Sequence, residues 1–252
     1  MPPELPEPKP VLNVAAYRFV ELDELPTLRD QLLLRAGQAA LKGTVLLAPE
    51  GINLFLAGMP DAVRGWLAAL RADPRFAGLE VKESFSGQVP FQRLRVKIKR
   101  EIIRMNQPAI RPAEGRAPAV DAPTLARWLQ QGHCDDGRPV VMLDTRNGFE
   151  VDQGAFDGAI DWRLGRFSEF PEALASRLDQ LRGKTVVSYC TGGIRCEKAA
   201  IWMRQQGLPH ALQLDGGILK YFELLPGAPH YHGGCFVFDE RETLDASLKG
   251  AR

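Results

Sequence analysis

VVSYCTGGIRCEKAAIWMRQQG, Val186 to Gly207, is the stretch on which the reading of this chain turns. Thr185, Val186, Val187 and Tyr189 favour extended backbone and predict a buried strand that ends at Cys190. Thr191, Gly192, Gly193, Ile194 and Arg195 form a tight loop, and good helix formers follow from Glu197. Ala200, Ile201 and Arg204 recur at helical spacing, with Gly207 as the stop. A cysteine therefore stands at the mouth of a glycine-rich loop whose backbone N–H groups, backed by a helix N-terminus, converge on its sulfur. Such surroundings hold a thiol well below its free pKa of about 8.5. A cysteine packed as a small apolar residue is the bland alternative. Core cysteines seldom open onto a Thr-Gly-Gly turn, an arginine and a helix start.

Convergent N–H groups, the positive helix end and Arg195 all favour negative charge on that sulfur. Phosphatases of the cysteine type place their arginine one residue further on, where its fork grips a phosphate. Here Arg195 comes early and Cys196 follows it. This shorter loop resembles that of rhodanese-like sulfurtransferases, whose cradle fits a persulfide sulfur and is too tight for a phosphate.

The resemblance sharpens with CTGGIRCEKA, LDTRNGFEVDQGAFDGAID upstream of it, LDGGILKY and CFVFDER downstream, and LAPEGIN in the first half. In this combination and order the chain resembles the tRNA uridine hydroxylase family of rhodanese-domain proteins.

Length and charge agree with that outline. At 252 residues two domains are a natural expectation. A net charge of +1 predicts no global attraction to nucleic acid or membrane, so RNA affinity has to come from a local patch. Cys134, Cys190, Cys196 and Cys235 are too few and too scattered for a disulfide scaffold and suit a reducing, cytoplasmic compartment. MPPELPEPKP reads as a disordered lead over residues 1–10 rather than a secretory signal, and no apolar run is long enough to span a bilayer.

Residues 11–105 alternate as βαββαβ, the order of a ferredoxin-like or acylphosphatase-like α+β sandwich. Its last strand, read from Gln92 to Met105, alternates Arg93, Arg95, Lys97 and Lys99 with Leu94, Val96 and Ile98, and Arg100 and Arg104 extend the basic run. That row is equally a device against edge-to-edge pairing; the resemblance favours contact with an RNA backbone. Glu50, Gly51 and Asn53 in APEGIN read as a structural turn. Proline and alanine mark residues 106–123 as a linker.

From residue 124 to 238 strands and helices alternate, which predicts a rhodanese-like doubly wound parallel sheet, with 239–252 as a tail. Asp144 and Arg146 fall at the carboxyl end of a strand, where ligands collect in open α/β sheets. In rhodanese-like domains a matching pair orients the active loop, and support rather than catalysis is expected of them. Asn147, Glu150 and Gly158 continue the resemblance, and Asp215, Gly216 and Gly217 are expected to pack behind the cysteine loop. His230, His232 and Cys235 lie close in sequence, but no metal is expected.

What the resemblance implies is an enzyme that hydroxylates C5 of the wobble uridine of tRNA, with Cys190 essential and molecular oxygen as co-substrate. No nucleotide, flavin or haem motif is visible, and no protein partner is indicated. Two rival readings remain at this point. One is a sulfurtransferase carrying a persulfide on Cys190, which leaves the basic strand unexplained. The other is a non-catalytic RNA-binding or redox-sensing module.

Overall fold

The computed structural model describes residues 10–250, and the expected lead, except Pro10, lies outside the described residues. The chain divides between Lys99 and Arg100 into two units.

In the first unit the order is β1 (Val11–Phe19), α1 (Leu25–Gln38), β2 (Lys42–Ala48), β3 (Gly51–Gly58), α2 (Pro60–Arg71), β4 (Val81–Ser86) and β5 (Leu94–Ile98). The sheet runs β4-β1-β3-β2-β5. Its first four strands are antiparallel neighbours, and β5 is added parallel to β2. Leu12, Val14 and Ala16 alternate on β1, as do Leu54 and Leu56 on β3, so one face of the sheet is apolar. Leu28, Leu32 and Ala36 of α1 and Val63, Trp66, Leu67 and Leu70 of α2 bury against it. Gly51, at φ 147°, begins β3, and a Cβ there would lie 2.1 Å from the Arg18 carbonyl oxygen. The glycine of APEGIN is thus required by close backbone approach.

The basic strand is shorter than expected. It ends at Ile98 rather than Met105, because the alternation stops at Lys99-Arg100-Glu101. It is an edge strand: Leu94 and Val96 pack on the core, Arg95 is half-buried, and Arg93, Lys97 and Lys99 are exposed.

The second unit holds β6 (Ala119–Val120), α3 (Ala122–Gln131), β7 (Val140–Asp144), α4 (Gly148–Val151), β8 (Gly154–Phe156), β9 (Ile160–Asp161), α5 (Phe170–Arg177), β10 (Thr185–Tyr189), α6 (Ile194–Gln205), β11 (Ala211–Leu214), α7 (Gly217–Leu224), β12 (Tyr231–Gly233), β13 (Cys235–Phe236) and β14 (Thr243–Leu244). Five strands form a parallel sheet in the order β6-β11-β10-β7-β9. Successive residues of its central strands serve opposite faces. Val187, Tyr189 and Met142 pack with α3 and α7, whereas Val186 and Leu143 pack with α5 and α6. Both faces are covered, as a doubly wound sheet requires.

Residues 106–123 do not behave as a free connection. Ala117 joins the α5/α6 core, and Val120 lies in β6 of the sheet. Just before them, Glu101 accepts backbone N–H groups from Met105 and Asn106 and pairs with buried Lys198 at 2.7 Å. Part of the tail is likewise integrated, since β14 pairs with β13 and Leu244 is buried. Proline content signals irregular backbone here, not separateness.

Removing one member of a buried ion pair leaves the other uncompensated. Glu101 keeps some contact with water, so Lys198→Met is expected to destabilise the protein by about 1–2 kcal/mol. Urea unfolding followed by circular dichroism measures it, and an unchanged midpoint would deny the pair this role.

Candidate active site

Cys190 follows β10 directly and is fully buried. The loop turns at Gly193, φ 97°, and α6 starts at Ile194, earlier than the helix formers alone suggest. The Gly193 N–H donates to the Cys190 sulfur at 3.2 Å. Burial pushes the thiol pKa up, but a hydrogen bond from Cys196, the Arg195 charge and the N–H groups of Arg195 and Gly193 outweigh it and lower it to about 6. Cys196 moves the opposite way. Burial, its hydrogen bond to Cys190 and the Cys190 charge hold it well above its usual value. Cys190 is thus driven toward the thiolate and Cys196 toward the thiol, the latter 3.6 Å from the Thr145 hydroxyl.

The loop rests on two backbone struts. Ile218 N–H donates to the Cys190 carbonyl and Leu219 N–H to the Thr191 carbonyl, each at 3.0 Å. Gly217, φ 68°, makes this approach possible: a Cβ there would sit 2.5 Å from the Cys190 carbonyl oxygen and 2.7 Å from the Gly193 nitrogen. The Thr191 hydroxyl donates to the Phe236 carbonyl at 3.3 Å, tying the loop to β13. At Gly192 an added Cβ would meet no atom within 4 Å, so this residue marks the loop's open side.

Arg195 does not point a free fork at the sulfur. Both terminal nitrogens bind the Glu150 carboxylate, at 2.8 and 2.7 Å, and both residues are buried. Glu150 also accepts the Asn147 N–H at 2.9 Å. The charge of Arg195 is therefore balanced by Glu150, yet it still helps to lower the Cys190 pKa. The sequence singles out Glu150 only as part of a resemblance. Its partner, Arg195, lies 45 positions away, and no local spacing links them.

Asp144 and Arg146 form a second buried fork, with contacts from 2.6 to 3.1 Å. Arg146 also donates to the carbonyls of Glu150 and Gly154 and lies over the Tyr189 ring at 5.6 Å. These contacts brace the backbone on the cysteine side of the sheet and leave neither side chain open to a ligand. Arg93, Arg95, Lys97 and Lys99 belong to the first unit. Among the described residues no group of His, Cys, Asp and Glu is arranged to hold a metal.

An activated cysteine in a short N–H-lined loop at the carboxyl edge of a doubly wound parallel sheet defines a rhodanese-like domain, and residues 125–224 match the rhodanese-like domain model. Residues 11–102 match the model of the UPF0176 acylphosphatase-like domain. The whole chain belongs to the tRNA uridine(34) hydroxylase family. It is 65% identical to the protein of that name from Variovorax paradoxus, over 94% of this chain and 90% of the relative. It is also 65% identical to the one from Bordetella petrii, over 96% of this chain and 95% of that one. Among solved structures, the human single domain sulfurtransferase TSTD1 aligns at 24% identity and TM-score 0.35, over 42% of this chain and 96% of that one.

Thiolate absorbance, with Cys190→Ser subtracted, is expected to titrate near pH 6; a midpoint near the free-thiol value would refute the cradle. The sign for stability follows. A folded pKa below the unfolded value of about 8.5 stabilises fully above that value, and the contribution fades as pH falls through the folded pKa. Gly217→Ala is expected to displace the loop and cost at least about 2 kcal/mol, read by thermal melting together with a raised thiolate midpoint.

Proposed function

We propose that this chain hydroxylates the wobble uridine of tRNA at C5, with Cys190 as the catalytic residue and molecular oxygen as co-substrate. The observation that carries the reading is the buried Cys190 sulfur under the Gly193 N–H, within a chain that matches tRNA uridine(34) hydroxylases along nearly its full length. Thr191, Gly192, Gly193, Ile194, Arg195 and Cys196 build the loop, and Asp144 and Arg146 support it. The cytoplasm, where tRNA is found, is the proposed location; no helix among the described residues is long and apolar enough to cross a membrane.

The thiolate adds to C6 of the pyrimidine and drives an electron pair onto C5 and the adjoining carbonyl. C5 bonds to one oxygen of O2 to give a hydroperoxide. A two-electron donor of the thiol class, two thiols becoming a disulfide, cleaves its O–O bond, so that the outer oxygen leaves as water and the inner one stays as the C5 hydroxyl. Loss of the C5 proton then expels the thiolate and restores the C5–C6 double bond. The Gly193 N–H and the charge of Arg195 hold the thiolate before it adds and again after it is expelled. Because Cys190 is fully buried, the ring's entry requires the cover of the loop to move. Cys196, as the neighbouring thiol, supplies the hydrogen bond that keeps Cys190 ionised.

The exposed cations in and beside β5 are proposed to contact the RNA backbone. Ala at Arg93, Lys97 and Lys99 together should weaken tRNA binding and flatten its dependence on salt by roughly one slope unit per lost phosphate contact. Filter binding across a salt series measures this; an unchanged slope would return the row to edge protection.

Nucleoside mass spectrometry after aerobic incubation with tRNA should reveal 5-hydroxyuridine with the wild type and none with Cys190→Ser. Full activity in that variant would end the proposed mechanism. Sulfur transfer from thiosulfate without hydroxylation would instead favour the persulfide chemistry of a sulfurtransferase.

A further inference from the structure

Single exposed large apolar side chains are ordinary, whereas a contiguous cluster of them marks a binding surface. Among the described residues of the second unit, three such side chains are exposed: Phe149, Leu224 and Phe238. Two of these meet at a third ring. Phe236 lies 5.2 Å, centroid to centroid, from Phe149 and 5.2 Å from Phe238, edge to face in both cases. Phe149 comes from α4 and the others from β13 and just beyond it, so the fold has gathered the group from distant parts of the chain. Phe149 remains 49% exposed and Phe238 48% exposed.

This cluster is attached to the cysteine loop on two sides. The Phe236 carbonyl accepts the hydroxyl of Thr191, the residue after Cys190. Phe149 immediately precedes Glu150, which holds Arg195 of the same loop. The rings therefore keep a fixed relation to the reactive sulfur.

We propose that Phe149, Phe236 and Phe238 form a stacking platform for unpaired nucleobases next to the target base. The inference rests on the reading of the chain as a tRNA-modifying enzyme. A pyrimidine presented to a sulfur in a narrow loop has to leave its own stack, and its neighbours lose a stacking face as it goes. Aromatic side chains replace that face, and they do so for any base because every base has one. The platform accordingly selects an open, single-stranded loop and is indifferent to the identity of the flanking bases. The occupant follows from position: the rings adjoin the loop that receives the target base, so what reaches them is the RNA on either side of that base.

The aromatic character of the cluster gives the test. An end-labelled anticodon stem-loop RNA is titrated with the full chain carrying Phe149→Leu, Phe238→Leu, Phe149→Trp or Phe238→Trp. Each leucine variant is expected to bind about tenfold more weakly, and each tryptophan variant to bind at least as well as the wild type. Thiolate absorbance of Cys190 should be unchanged in all of them, which shows that the loop is intact. Leucine variants that bind like the wild type, tryptophan variants no better than leucine, or a wild type that binds no RNA would each overturn the platform. Nucleoside mass spectrometry reads the proposed activity separately. RNA held by the rings without hydroxylation would remove the activity and keep the platform; hydroxylation at an unchanged KM in the leucine variants would do the reverse.

Discussion

The bidentate pair between Glu150 and Arg195 is the constraint on which the site depends. Both groups are out of water, and a charge in that position persists only when its partner and its remaining hydrogen-bonding capacity are satisfied. Glu150 meets this requirement with the two Arg195 nitrogens and the Asn147 N–H. The pair fixes the start of α6 against α4 and thereby shapes the loop between Cys190 and Arg195. It also sets the electrostatics. An arginine already matched by a carboxylate offers the sulfur a reduced field, so the anion relies on backbone N–H groups and the Cys196 thiol as well.

Two cysteines in one small volume are thus driven to opposite protonation states, and the separation arises from their mutual contact together with where each sits. Cys190 ends a strand beneath converging N–H groups, whereas Cys196 lies within the first turns of α6, beside the Thr145 hydroxyl. Ionisation of the first makes ionisation of the second costly. The negative charge of the cluster is consequently placed on the sulfur nearer the loop.

Much of this is legible in the residues. The strand, loop and helix around Cys190 follow from β-branched residues, two glycines and a run of helix formers, each acting locally. The alternation of Leu94, Val96 and Ile98 with cations correctly marks β5, and alternating elements correctly mark a parallel sheet. What escapes depends on contacts distant in sequence. The capture of Arg195 by Glu150, the integration of residues 106–123 and the meeting of Phe149 with Phe236 leave no periodic trace. The residues overstate the length of β5 for a related reason: Ile102 and Met105 look like strand residues, but they are buried in irregular backbone of the second unit. Only the paired aromatics of CFVFDER, in and just after a two-residue strand, offer a hint of the ring cluster.

Gly217 carries a consequence for how this loop can change over evolutionary time. The turn that bears it fits so closely beneath the Cys190 and Thr191 carbonyls that no side chain can be added. Inserting a residue between Cys190 and Arg195, the step toward a cradle wide enough for a phosphate, would press the widened loop onto that same turn. The two segments are joined through hydrogen bonds from Ile218 and Leu219, so neither can be remodelled alone. Passage between sulfur-sized and phosphate-sized loops on this scaffold therefore demands coordinated change at two separated places in the chain, which makes the short loop a barrier to drift as well as a reaction site.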